Sequence, residues 1–393
     1  MQKLTKCSRK PKKPHVKSLP EEVKSGAGTQ NRPGGGYSEQ PARGRDLIDM
    51  LQELFDAAPR VSLGPGRRFV VWSDLHMGDG GPQDDFRRNA DLVQAVLRRY
   101  YLSAGFSLVL NGDIEELQRF RLDAIQSRWR AVFNLFEEFR RKTDLYKIVG
   151  NHDEALRCEG SPADPSLLDA VRLTFDDDTL FLFHGHQATV FFERFNDVSG
   201  FFLRYFANTL RIPNLPVTYE SRKKYRTEHR VYAFSSRRKI VSVIGHTHRP
   251  LFESLSKIDT IRYRIEQLCR DYPSVSPRAR AVIEKVISDY RRELDRLWGK
   301  DREDGLRSSL YNAQICIPCL FNSGCAIGKR GVTAIEIADG AISLVHWFDR
   351  TRGEPRFDGG GRAARRLDST EYYRTVLKQD RLEYIFSRIK LLA

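Results

Sequence analysis

Five times along this chain, a short apolar run of strand type stops at a cluster of Asp, Asn or His. RFVVW (68–72) stops at Ser73-Asp74-Leu75-His76, and SLVL (107–110) at Asn111-Gly112-Asp113. LYKIV (145–149) stops at Gly150-Asn151-His152-Asp153, TLFLF (179–183) at His184-Gly185-His186, and KIVSVI (239–244) at Gly245-His246-Thr247-His248. Runs this continuously apolar and this rich in β-branched and aromatic residues read as strands buried on both faces. Helical patterns separate the first three: 84–101, then 123–142 with Trp129, Val132, Phe133, Phe136 and Phe139 at helical spacing. A further helix is expected over Asp46–Ala57. The later runs ICIPCLF, GVTAIEIA and AISLVHWF have no long helices between them. The pattern predicts an α/β fold with a two-sheet core and helices outside. In such folds ligands bind at the carboxyl ends of the strands, where all five clusters lie, so the clusters can converge.

The clusters contribute Asp74, His76, Asp113, Asn151, His184, His246 and His248. These are oxygen and imidazole donors without a thiolate, a set that suits Mn²⁺, Fe or Zn²⁺ better than a structural four-cysteine zinc site. Seven donors exceed one tetrahedral ion and fit two, provided a carboxylate bridges. Two ions roughly 3.5–4 Å apart clamp the attacking and leaving oxygens of a phosphoryl displacement. Residues i and i+2 near a strand end can point to one centre, which explains the spacing of Asp74 with His76 and of His246 with His248. Gly245 allows the backbone a close approach.

In this order, DLH, GD, GNHD, HGH and GHTH resemble the five motifs of the calcineurin-like metallophosphoesterase superfamily, over roughly residues 69–350. The resemblance implies a two-sheet metallophosphoesterase sandwich (α-β-β-α) with helical insertions. It implies one divalent ion on Asp74, His76, Asp113 and His248, and a second on Asp113, Asn151, His184 and His246, with Asp113 bridging. A hydroxide between the ions attacks phosphorus in that family. The resemblance further implies that His152 protonates the leaving oxygen or stabilises the transition state, with Asp153 orienting it. His186 is expected to be structural. GHTHRP and GDIEE look most like the UDP-2,3-diacylglucosamine hydrolase branch, which suggests a phosphorylated small-molecule or lipid-nucleotide substrate and a substrate-binding Arg249. That branch typically has arginine where His152 stands, and it lacks an insertion like 251–312.

Two stretches interrupt the pattern. Residues 188–238 carry Phe191, Phe192, Phe195, Phe202 and Phe206 at helical spacing and then the basic SRKKYRTEHR. This suits an amphipathic substrate or peripheral contact with a membrane surface, or simply a helix packed on the core. Residues 251–312 read as two helices joined near YPSVSP, with Ser276 as N-cap and Pro277 at the first helical position. Residues 351–393 read as a Gly/Arg-rich linker and a terminal amphipathic helix. Of the net charge of +15, more than half sits in residues 1–45, where eleven Lys/Arg face three Glu. That Pro/Gly/Lys-rich tail is too poor in apolar residues to order itself. Its charge leaves nucleic acid as an alternative partner, and a nuclease-type phosphodiesterase or a non-catalytic metal-binding scaffold as alternative functions. Six cysteines in 393 residues do not make a disulfide framework, and no apolar run reaches ~18 residues. The N-terminus lacks the apolar segment of a secretory signal, so a cytoplasmic setting is expected. Cys316-Ile-Pro-Cys319 is a lone CxxC in a strand-like run, expected to be structural.

Overall fold

The computed structural model describes residues 47–157, 166–189, 221–254, 276–298, 317–353 and 363–393, with scattered positions between 261 and 274. All belong to one unit, Arg45–Ala393. The expectations for the tail 1–45, the phenylalanine stripe 191–206, Cys316 and most of the linker lie outside the described residues.

The five runs form strands and stop where the sequence predicts. They are β2 (Arg68–Trp72), β3 (Phe106–Asn111), β4 (Leu145–Ile148), β7 (Asp178–Phe183) and β8 (Val241–Ile244). β2, β3 and β4 pair in parallel. They occupy an eight-stranded sheet with β5 (Leu167–Leu168), β10 (Val332–Ala338), β11 (Ala341–Asp349), β12 (Arg365–Arg366) and β13 (Tyr372–Arg381), in the order β12-β13-β11-β10-β2-β3-β4-β5. β7 and β8 pair in parallel in a five-stranded sheet with β1 (Arg60–Ser62), β6 (Ala170–Phe175) and β9 (Leu320–Asn322), in the order β1-β6-β7-β8-β9.

The strands alternate with period two between two cores. On β2, Phe69 and Val71 meet Val171, Leu180, Leu182, Val241 and Val243 between the sheets. Val70 and Trp72 point the other way, into the cover formed by α2 (Ala90–Val96), α3 (Leu122–Arg128) and α4 (Arg130–Lys142). The five-stranded sheet is covered by α1 (Leu47–Ala57) and α5 (Ser221–Arg238), with Leu51, Phe55, Val231 and Phe234 packed on Phe181 and Phe183. The result is the four-layer α-β-β-α fold. α6 (Pro277–Trp298) starts at Pro277, as the sequence predicts.

Four elements depart from the sequence pattern. The helix expected over 123–142 breaks at Trp129, because its indole N–H donates to Gly78 O at 2.9 Å and Asp84 Oδ2 at 3.0 Å. The helix expected over 84–101 starts only at Ala90, since Asp84 is occupied capping the turn before it. The C-terminal segment is not only linker and helix: Tyr372–Arg381 is a strand paired along β11. The terminal helix α7 (Leu382–Leu392) then buries Leu382, Ile385, Phe386 and Ile389 at the core between the sheets. Helix α5 is likewise part of the outer layer, although the sequence reads as an insertion there.

Candidate metal centre

The loops after the five strands are laced together by their backbones. The N–H groups of Asp74 and His76 each donate at 3.0 Å, to Gly112 O and Asp113 O, and Met77 N–H donates to Ile114 O at 2.9 Å. Gly245 N–H reaches His184 O at 2.9 Å within the five-stranded sheet, and His246 N–H donates to Asp74 Oδ2 at 3.1 Å, which ties the two sheets' loops into one rim. Five of the seven expected donors sit in the left-handed region: Asp74, His76, Asp113, His246 and His248, with φ between 48° and 61°. That conformation costs a non-glycine residue roughly 1–3 kcal/mol, and the cross-loop bonds hold it. Three glycines admit the close approach. A Cβ on Gly245 would lie 2.5 Å from Ser73 Oγ and 2.6 Å from Asp74 Oδ2, one on Gly112 would enter the His184 ring, and one on Gly150 would strike Asp113.

Six of the seven residues converge in two groups, and the seventh, Asn151, has its side-chain oxygen buried. Asp74, His76 and His248 bring one donor atom each within 4.8 Å of one another, and so do Asp113, His184 and His246. His76 Nε2 faces His248 Nε2 at 3.2 Å, and His248 Nε2 lies 3.0 Å from Asp74 Oδ1. His184 Nε2 lies 3.1 Å from Asp113 Oδ2, which is itself 3.9 Å from His76 Nε2. Asp113 therefore stands between the two groups.

The chemistry of these contacts fits cations. His76 Nδ1 is 2.9 Å from Glu116 Oε2, and His184 Nδ1 is 2.8 Å from Asn111 O, so both Nδ1 atoms carry the hydrogen toward an acceptor. The Nε2 lone pairs then face carboxylates and another imidazole, an arrangement that needs a positive charge between them. Among the described residues, the buried Asn151 Oδ1, His184 Nε2 and His246 Nδ1 have no hydrogen-bond partner. All three belong to the second expected ion set.

The imidazoles divide between states, one of each kind in each group. Burial disfavours a protonated His76, but its bond to Glu116 raises it. Burial likewise works against His184, yet Asp113 pushes it up to about 9. Burial lowers His248, and burial with His184 alongside pushes His246 down to about 3. Burial opposes ionisation of Asp113, but His184 and His152 hold it well below the ordinary carboxylate range. Without cations, a proton on His184 offsets part of the carboxylate charge.

His152 stands beside the centre, with Nε2 4.0 Å from Asp113 Oδ2. Asp153 does not orient it. The Asp153 carboxylate accepts from Ile114 N–H at 2.7 Å and Gly150 N–H at 2.5 Å, binding the loops after β3 and β4 to each other. Burial, Asp113 and Glu115 push Asp153 up to about 7. Glu116 instead holds the His152 ring, with Oε1 2.9 Å from Nδ1, while its other oxygen holds His76. Burial opposes the charge on Glu116, but His152 and His76 pull it down to about 2. Burial would lower His152, and Asp113 and Glu116 push it up to about 10.

Glu116 is the functional residue that the sequence pattern does not single out. The signal is present in Asp113-Ile-Glu-Glu, where adjacent glutamates point apart: Glu115 to Lys147 Nζ at 2.5 Å, Glu116 to the two imidazoles. Arg249 lies at the edge of the centre, its guanidinium 3.4 Å from Glu228. His186 is buried beside His184, and burial with the neighbouring imidazoles keeps it well below its ordinary value and neutral. Cys319 is buried, its Sγ 3.7 Å from Tyr232 O.

No family model and no curated protein matches the chain. Among the solved structures that resemble it are three from microorganisms. One is a conserved uncharacterized protein, a predicted phosphoesterase, from Streptococcus pneumoniae, at 12% identity over 75% of this chain and 95% of that one, with a TM-score of 0.30. A Vps29 single mutant from Entamoeba histolytica follows, at 10% identity over 72% and 93% with a TM-score of 0.30. Vacuolar protein sorting 29 from Cryptosporidium parvum is at 12% over 74% and 95%, with a TM-score of 0.31. At such identities and scores the likeness carries nothing about activity or substrate. Among the described residues, no helix is long and apolar enough to cross a membrane.

Proposed function

We propose that this protein is a dinuclear metal-dependent phosphoesterase that hydrolyses a phosphomonoester, phosphodiester or pyrophosphate. The observation that carries this reading is the Asp113 carboxylate standing between two groups of buried imidazole and carboxylate donors, with a held histidine beside it. Asp74, His76, Asp113 and His248 would hold one ion, and Asp113, Asn151, His184 and His246 the other; the donor set suits Mn²⁺, Fe or Zn²⁺. When bound, such ions act as Lewis acids toward phosphoryl oxygens and lower the pKa of coordinated water toward neutrality.

The chain's own residues supply positioning and proton transfer. Asp113 fixes the separation of the two donor groups. Glu116 takes the Nδ1 hydrogen of His152 and turns Nε2 toward the centre, where a protonated imidazole donates to the leaving oxygen. The push that Asp113 gives His152 weakens when cations neutralise that carboxylate, which moves the imidazole toward the pH at which it can both give and take a proton. Arg249, at the edge beside His248, meets a substrate phosphate oxygen. A lipid-nucleotide pyrophosphate is the finer reading of the substrate, motivated by GDIEE and GHTHRP.

The test is hydrolysis of p-nitrophenyl phosphate and bis-p-nitrophenyl phosphate by metal-stripped protein, then with Mn²⁺, Zn²⁺ or Mg²⁺, with His152→Ala in parallel. The expected result is metal-dependent turnover that falls roughly 10²–10⁴-fold in the variant while metal binding persists. Stoichiometric metal binding with no turnover of either ester or of a nucleotide pyrophosphate would point to a scaffold instead.

A further inference from the structure

We infer that Glu228 on helix α5 is a positioning residue for the metal loop, fixing Thr247 between the two histidines and Arg249 beside them. The inference rests on the phosphoesterase reading above. The buried face of α5 carries Thr227, Glu228, Val231, Phe234 and Ser235. Its later half is core: the Phe234 ring lies 6.4 Å from Phe55 and 6.2 Å from Phe181. Its earlier half turns polar where the helix passes Gly245–Arg249.

Glu228 is 2% exposed. A carboxylate that deep costs several kcal/mol unless it is paired and hydrogen-bonded. Both oxygens are used: Oε1 accepts from Thr247 Oγ1 at 2.8 Å, and Oε2 faces Arg249 Nη2 at 3.4 Å. The Thr247 hydroxyl in turn accepts from Asn322 Nδ2 at 2.9 Å, and that same amide donates to Gly245 O at 2.8 Å. The loop between His246 and His248 is thus clamped from the end of β9 on one side and from α5 on the other. The same helical turn reaches His246 by a second route. Thr227 Oγ1 is 3.1 Å from Thr189 Oγ1, which is 3.5 Å from His246 Nε2. That contact occupies Nε2 and leaves the buried Nδ1 for an ion. His246 and His248 belong to different donor groups, so a loosened Thr247 disturbs both ions.

Calorimetric titration of the metal-stripped full chain with Mn²⁺ tests the clamp, with Glu228→Ala, Glu228→Gln and Thr247→Val beside wild type. Glu228→Ala is expected to weaken binding of both ions by about 10–100-fold, the range for groups that orient metal ligands. Thr247→Val removes the same bond from the other partner, together with the one from Asn322, without touching the carboxylate. It should weaken both ions similarly, and the double variant should fall short of the sum of the two single changes. Glu228→Gln still accepts from Thr247 but loses its charge toward Arg249. It should keep near-native metal affinity and raise KM with kcat held, a split that a purely structural role would not produce. Wild-type affinity for both ions in Thr247→Val and in a folded Glu228→Ala would overturn the inference. A wild-type protein that binds fewer than two ions would sink the phosphoesterase reading instead.

Discussion

The two donor groups at the centre are built from similar residues and supported differently. Around Asp74, His76 and His248 the support is mainly side chain: Ser73 Oγ on Asp74 at 2.5 Å, Glu116 on His76 at 2.9 Å, Glu228 on the loop that carries His248, with His246 N–H and the close approach of Gly245 to Asp74 as its backbone share. Around Asp113, Asn151 and His184 it is mainly backbone. Asn111 O takes His184 Nδ1, His152 N–H donates to Asp113 Oδ1 at 2.8 Å, and Gly112 and Gly150 admit the donors at contact distance. A side-chain scaffold can be loosened in steps, because charge and hydrogen bond can be removed separately. A backbone scaffold has no intermediate setting, since any added atom collides. The backbone-built half should therefore fail abruptly under substitution and the side-chain-built half gradually.

Gly112→Ala probes the abrupt half and carries the largest expected effect. Its Cβ would meet the His184 ring, and Gly112 already sits at φ 84°, where alanine is strained. Loss of one ion per chain by metal analysis is expected, with destabilisation of about 1–3 kcal/mol by denaturant unfolding. Two retained ions would erase the contrast between the halves. Glu116→Gln probes the graded half. It keeps the shape and removes the charge facing His76 and His152, so activity should fall roughly 10–100-fold with both ions still bound. The imidazole of His152 should also titrate lower, visible by NMR, since Glu116 is one of the carboxylates raising it.

The smallest effect concerns protons. His184, raised to about 9, holds a proton at neutral pH that must leave when it ligates, and His76 is shifted in the same direction; His246 and His248 are already neutral. Binding of the ions therefore releases at least the His184 proton, about one per chain near pH 7. Metal affinity should weaken as pH falls and gain strength upward until His184 deprotonates near pH 9. Calorimetry in buffers of different ionisation enthalpy counts the protons, and a count near zero would show that these imidazoles are not the ligands.

The strands and the convergence of the polar clusters at their ends were legible because each apolar run is bounded by a polar cluster and the period of two is local. Glu116 was visible only as context. Two adjacent glutamates look alike in sequence, and the alternation that sends one to Lys147 and the other to His152 is settled by pairing with the loop after β2. The family resemblance implies an orienting role for Asp153, yet its side chain turns to the Ile114 and Gly150 amides. β13 escaped because Tyr372–Arg381 mixes Arg, Lys and Gln with Tyr and Val, and only its pairing with β11 orders it. The break at Trp129 was hidden because the apolar spacing runs through it, and the force that ends α3 is a bond to Gly78 and Asp84 some fifty residues away. Glu228 carries no local signal, since its partners come from the loop after β8.

The most direct measurement is electron paramagnetic resonance of the metal-stripped protein titrated with Mn²⁺, with Asp113→Ala as the control. Two Mn²⁺ sharing the Asp113 carboxylate at roughly 3.5–4 Å must be exchange-coupled. The spectrum should therefore turn from an isolated-ion signal to a coupled one as the second equivalent binds, and Asp113→Ala should never show the coupled form. Saturation at one equivalent, or two equivalents that remain magnetically isolated in the wild-type protein, would contradict a carboxylate-bridged pair of ions.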